Sequence, residues 1–154
     1  MKGDEHMSDY FIRFIPEDID ANLNEREIKL VEKLNWDENN PKFIFSERVQ
    51  LADAGQNFEI VKCQFCMANL MEWWSNAMSS AYSEDYGFVK LEVTTPCCNK
   101  TTSLHNLDYS FPQGFYKIMI EVMPKANSKI MSDEIAEDLL AITGRNWRVI
   151  HAHY

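Results

Sequence analysis

The order of strand and helix signals predicts an α+β fold and, within that class, a ferredoxin-like βαβ…βαβ sandwich. Three observations carry this prediction. Two outer segments, near residues 10–45 and 115–154, each spell strand–helix–strand. A hydrophobic content of 45% with nine Phe and four Trp can fill a core, which excludes global disorder. The stretch at about 50–110 between the outer segments holds all four cysteines. It falls where an insertion lengthens the loop between the second and third strands.

Tyr10-Phe11-Ile12-Arg13-Phe14-Ile15 is aromatic and β-branched and reads as a strand ending at Pro16. Asn24 and Glu27 supply a reciprocal capping pair for a helix from about Glu25 to Asn35, with Ile28, Leu30, Val31 and Leu34 on one face. Phe43-Ile44-Phe45 gives a short second strand, and residues 48–57 read as a loop turning at Gly55. Phe58 to Lys62 is a strand that runs into the first cysteine pair. Leu70 to Ser83 carries Met71, Trp74, Met78 and Tyr82 at helical spacing. Phe88 to Thr95 alternates and delivers the chain to the second pair; Thr101-Thr102-Ser103 leaves it as a short strand.

Leu104 to Gly114 is irregular. Phe115 to Met123 alternates with Tyr116, Ile118, Ile120 and Val122 inward. Asp133 to Thr143 is a helix with Ser132 as N-cap and Gly144 beyond its end, and Trp147 to Tyr154 is the last strand. The expected organisation is a disordered leader over residues 1–9 and one α+β domain over residues 10–154. Strand–helix–strand units suit several sheets, so strand order stays open.

Cys63-Gln64-Phe65-Cys66 and Cys97-Cys98 are separated by 30 residues, 67–96. Zinc takes four ligands at tetrahedral angles, and a C-x-x-C turn presents two sulfurs to one side of such a site. Adjacent cysteines have Cα atoms about 3.8 Å apart, so Cys97 and Cys98 can share one metal if the backbone turns there. Pro96 and Asn99 are suitable turn residues. The expected cofactor is a structural zinc held by Cys63, Cys66, Cys97 and Cys98 in a zinc-ribbon-like segment. Two other readings stay open: a thiol–disulfide couple with Cys63 attacking and Cys66 resolving, and four inert thiols.

Cys63-x-x-Cys66, Met71-Glu72-Trp73-Trp74, Thr94-Thr95-Pro96-Cys97-Cys98, Thr102-Ser103-Leu104, Asn106-Leu107-Asp108-Tyr109, Gly114-Phe115 and Arg148-Val149-Ile150-x-Ala152-His153 together resemble a family of uncharacterised bacterial zinc-ribbon-like proteins. The resemblance covers nearly the whole chain from Met7 onward, and Thr-Thr-Pro-Cys-Cys is its most specific part. It implies the architecture and brings no activity. Members of that family carry Pro after the first cysteine and Gly after each pair, where this chain has Gln64, Met67 and Asn99.

His105 is an alternative fourth ligand, giving a site of three cysteines and one histidine, or a loop histidine. His151 and His153 share a face of the last strand but lack a third ligand nearby. Trp74 reads as core, and Trp73, off the Met71–Met78 line, as the better interface candidate. No Gly-rich phosphate loop, G-x-S-x-G or H-E-x-x-H is present, so no catalytic residues are assigned.

The net charge is -9, and residues 61–110 hold only Lys62, Lys90 and Lys100 as cations. Nucleic-acid binding draws on clustered Lys and Arg, so neither DNA nor RNA is an expected partner. An anionic membrane surface is disfavoured on the same ground. Without a signal peptide or apolar span, the expected setting is cytoplasmic. The function expected is a non-enzymatic, protein-binding module with a structural zinc site of four cysteines.

Overall fold

Strand β1 (Tyr10–Pro16), helix α1 (Glu25–Glu32) and strand β2 (Lys42–Ala52) open the computed structural model, which describes residues 9–154. The chain then leaves the sheet through β3 (Val61–Lys62), α2 (Met71–Ala81), β4 (Tyr82–Ser83), β5 (Gly87–Phe88), β6 (Glu92–Thr94), β7 (Thr101–Ser103) and β8 (Asp108–Tyr109). It returns as β9 (Gly114–Val122), α3 (Ser132–Thr143) and β10 (Trp147–His153). The expected leader lies outside the described residues apart from Asp9, whose carbonyl accepts the Tyr154 N–H at 2.8 Å.

The α+β class stands. The main sheet has the order β10-β1-β9-β2-β5-β4. β1 runs antiparallel to both β10 and β9, and β9 antiparallel to β2. A single parallel pairing of Val49 with Gly87 attaches β5, so the sheet is mixed. Two small ribbons, β3–β8 and β6–β7, stand apart from it.

The α1 start follows the sequence: the Asn24 side chain accepts the Glu27 N–H at 2.8 Å and Glu27 accepts the Asn24 N–H at 3.0 Å. The helix ends at Glu32, short of Asn35. The buried Trp36 indole donates to the Val31 carbonyl at 2.8 Å, taking an acceptor that a further helical turn needs. At α3, Ser132 is the first helical residue rather than the cap, and no side chain caps that end.

α1 and α3 cover one face of the sheet. Ile12, Phe14, Ile118, Ile120, Val122 and Trp147 pack there against Val31, Ile135 and Leu139. On the opposite face, Ile15, Tyr116, Met119 and Ile150 pack with Ala52 and Ala54. Arg13 lies on this second face with 12% of its side chain exposed. Its donors reach Glu121 Oε2 at 2.8 Å, Asp53 Oδ1 at 3.0 Å and Tyr154 Oη at 2.9 Å. This half-buried guanidinium, bonded through Nε and Nη1, ties the segment after β2 to the residue just beyond the last strand.

Two expectations fail at one irregularity. Residues 48–52 continue β2 and are not loop. Pairing with β9 breaks between Phe45↔Ile118 and Gln50↔Tyr116, then resumes through Leu51↔Phe115 and Ala52↔Gly114. The bulge hides the alternation of β2 and also shifts the phase of β9. Tyr116 therefore faces Met119 rather than Ile118 and Ile120. The expected strand Phe88–Thr95 is likewise split, because Val89 and Lys90 turn out to solvent as the chain leaves β5 for β6.

Candidate metal centre

A third cluster belongs to the excursion. Val61, Cys63, Leu70, Leu104, Leu107 and Tyr109 are buried together, and Phe115 of the central strand β9 reaches into them. Trp74 stacks on Phe58 with ring centroids 5.0 Å apart and donates its indole N–H to Tyr109 Oη at 3.2 Å. Trp73 is half-buried against the same cluster and, with Lys90, Val93 and Thr94, lines a cavity of about 290 Å³. This packing fixes the roots of the two loops that carry the cysteines.

The first loop, residues 63–68, is closed by Cys63 N–H to Ala68 O and Met67 N–H to Cys63 O, both 2.9 Å. The second, residues 95–100, projects from the β6–β7 ribbon, and Thr102 Oγ1 donates to Gln64 Oε1 at 2.7 Å to join the two. Met67 and Asn99 have positive φ, 65° and 57°, the backbone region that glycine adopts freely. Gly is what the sequence resemblance leads one to expect at these two places.

All four sulfurs meet between the loops. Cys63 Sγ lies 3.7 Å from Cys98 Sγ, Cys66 Sγ 3.3 Å from Cys97 Sγ, and Cys97 Sγ 3.9 Å from Cys98 Sγ. The whole set falls within 4.8 Å. Sulfurs at tetrahedral corners about 2.3 Å from a metal stand about 3.8 Å apart, so this set is the size of a four-thiolate site. No protein-family model matches the chain, and no curated protein or solved structure matches it.

The sulfurs differ in their surroundings. Cys63 is fully buried, Cys98 half-buried, and Cys66 and Cys97 are exposed. Burial pushes the Cys63 thiol up, but the N–H groups of Cys66 and Phe65 outweigh it and bring the thiol down to about 6. Although the Cys97 residue is exposed, local desolvation of its sulfur and the neighbouring sulfurs of Cys66, Cys63 and Cys98 push its thiol up to about 12. One thiolate is therefore easy to form here and the next is not, because like charges crowd together. A divalent cation at the centre removes that repulsion, which is the electrostatic case for a metal.

His105 is not part of this set. It is 3% exposed, with Nδ1 accepting the Phe115 N–H at 3.0 Å and Nε2 donating to the Glu17 carbonyl at 3.0 Å. With both nitrogens occupied, it cannot serve as a ligand without breaking them. Gly114 leaves room for this packing, since a Cβ there comes within 2.5 Å of Arg148 Nη1 and 2.8 Å of His105 Cε1. Burial, together with the Arg148 charge, pushes the imidazole down to about 4 even though Glu17 lies nearby.

The unfolded chain takes up a proton near pH 6.5 and the native one only near 4. The contribution of His105 is therefore present above about pH 6.5 and is lost as pH falls towards about 4, an expected loss of roughly 3 kcal/mol. Thermal melts of wild type and His105→Gln at several pH values check this. Both proteins carry the same thiols, so the gap between them isolates the imidazole, and the gap should narrow on acidification.

His151 Nδ1 meets Tyr10 Oη at 2.6 Å, and the His153 ring stands edge-on to Tyr10. Among the described residues, only the four cysteines form a group of three or more potential ligands close enough to share a metal. The residues missed by sequence reading are Gln64 and Thr102, whose bond joins the first loop to β7 across 38 positions, and Thr95. A threonine just before a Pro-Cys-Cys turn is the signal that could have found the last.

Proposed function

We propose that this chain is a zinc-binding, non-enzymatic module in which Cys63, Cys66, Cys97 and Cys98 hold one structural Zn²⁺ and that it acts by binding another protein. The observation that carries the metal reading is the set of four sulfurs within 4.8 Å of one another, presented by two loops of different ribbons. Zinc is the choice for an all-thiolate tetrahedral set with no oxygen donors. Four free thiols in proximity suit a reducing setting, the cytoplasm.

The scaffold reading is a ferredoxin-like frame with a zinc-ribbon-like insertion. Its support is the order β10-β1-β9-β2 with antiparallel neighbours, two helices on one face, and the excursion between β2 and β9. Support for a protein partner comes from Phe65 at 43% and Met67 at 53% exposure beside the sulfurs, on a chain too acidic for nucleic acid. Against the thiol-oxidoreductase alternative stands Cys63, whose assigned attack on a substrate needs an exposed sulfur and which is fully buried.

Elemental analysis of protein purified without a histidine tag, with thiol titration alongside, tests the metal reading. The expected result is one zinc per chain and four thiols that react only after denaturation or chelation. Protein with no metal and two fast-reacting thiols would overturn it. The partner reading fails separately if Phe65→Asp captures the same proteins from the source cell as wild type.

A further inference from the structure

The two cysteine loops are the same turn built twice, with the ligands in different places. Each residue of the second stands 32 positions after its counterpart in the first: Cys63 and Thr95, Cys66 and Cys98, Met67 and Asn99, Ala68 and Lys100. Cys63 N–H to Ala68 O is matched by Thr95 N–H to Lys100 O, both 2.9 Å. Met67 N–H to Cys63 O is matched by Asn99 N–H to Thr95 O, also both 2.9 Å. Positive φ falls on Met67 and on Asn99. The flanking pairs correspond as well, Lys62 with Asn69 and Thr94 with Thr101.

In this register Cys98 occupies the place of Cys66, and the counterpart of the buried ligand Cys63 is not a cysteine. It is Thr95, also fully buried. Cys97 stands in the place of Phe65. Thr95 Oγ1 lies 3.4 Å from Cys98 Sγ, takes the Lys100 N–H at 3.1 Å and has the Lys100 carbonyl at 3.3 Å as a second acceptor.

Resting on the four-thiolate reading, we propose that Thr95 occupies a vacated ligand position. The fourth ligand has moved two residues on, to Cys97, and Thr95 has become a positioning residue whose hydroxyl donates to the Cys98 thiolate. A hydrogen bond to a charged acceptor is the stronger of the two open to the hydroxyl, so the thiolate is preferred over the Lys100 carbonyl. The move carries the ligand from the buried root of the loop to its exposed tip. This is why the second pair reads Cys-Cys rather than Cys-x-x-Cys, and why Cys97 is exposed where its counterpart in function, Cys63, is not.

The test uses the full chain, stripped of metal under reducing conditions and titrated with Co²⁺, whose thiolate charge-transfer bands count sulfur ligands. Cys97→Ser is expected to lose charge-transfer intensity and affinity. Thr95→Cys/Cys97→Ser is expected to regain the four-thiolate spectrum and at least tenfold in affinity over Cys97→Ser, because the sulfur returns to the counterpart of Cys63. No regain in a double variant with native circular dichroism overturns the relocation. If the double variant does not fold, two single variants decide. Thr95→Val should bind about 10–100-fold more weakly than wild type and Thr95→Ser as tightly, and equal affinity in all three overturns the proposal. Wild type that takes up no Co²⁺ defeats the metal reading itself and the relocation with it, whereas wild type that binds leaves only the relocation at stake.

Discussion

If the four sulfurs hold a metal as proposed, stripping it is expected to open the inserted segment while the main sheet stays closed. At free metal about a thousand times the dissociation constant, binding contributes about 4 kcal/mol to whatever unit depends on it. Hydrogen exchange followed segment by segment should then show the amides of Cys63, Met67, Thr95 and Asn99, each closed within its own loop, exchanging about a thousandfold faster after chelation. Amides in the β1–β9 and β1–β10 ladders should change little. Cys63→Ser should reproduce the chelated pattern without chelator. It should also cost more than Cys66→Ser, because Cys63 is buried in the Val61, Leu70 and Leu104 cluster while Cys66 is exposed. Unchanged exchange in the cysteine loops on chelation would mean that packing alone holds them.

Most of the outer elements were legible because their residues state a periodicity interrupted only at the β2–β9 bulge. Asn24 and Glu27 predicted a reciprocal cap that forms with both bonds, and Gly144 takes the left-handed position beyond α3 with φ 72°. The four cysteines predicted their own assembly, since thiol pairs at strand ends have few other uses. What stayed hidden was set by partners distant in sequence. The strand after Phe45 became readable only opposite Gly114, Phe115 and Tyr116, because a bulge resets the alternation by which strands are recognised. His105 looked like a loop residue or a ligand, yet its place is decided by the Phe115 N–H and the Glu17 carbonyl. The only sequence mark of Thr95 is its place just before Pro-Cys-Cys. Its meaning comes from hydrogen bonds that repeat those of Cys63.

Phe115→Ala is expected to be the most damaging single change outside the sulfurs, because Phe115 belongs to two structures at once. Its backbone lies in β9, paired through Leu51 with β2, while its ring is fully buried in the cluster of the excursion, 5.0 Å from Phe88. Removing a buried Phe side chain costs about 3–5 kcal/mol through lost transfer energy and the cavity left behind. The cavity here opens at the joint between the sheet and the cysteine-bearing segment. The expected result is thus more than a lowered midpoint: calorimetry should resolve two transitions in place of one, with only the lower one moving when metal is added. Phe115→Leu, which keeps most of the volume, should cost less than about 1.5 kcal/mol and keep the single transition. A Phe115→Ala protein that still melts once, at a lower temperature and with metal shifting the whole transition, would show instead that the two parts are coupled through the segments 49–54 and 104–113, and not through this ring.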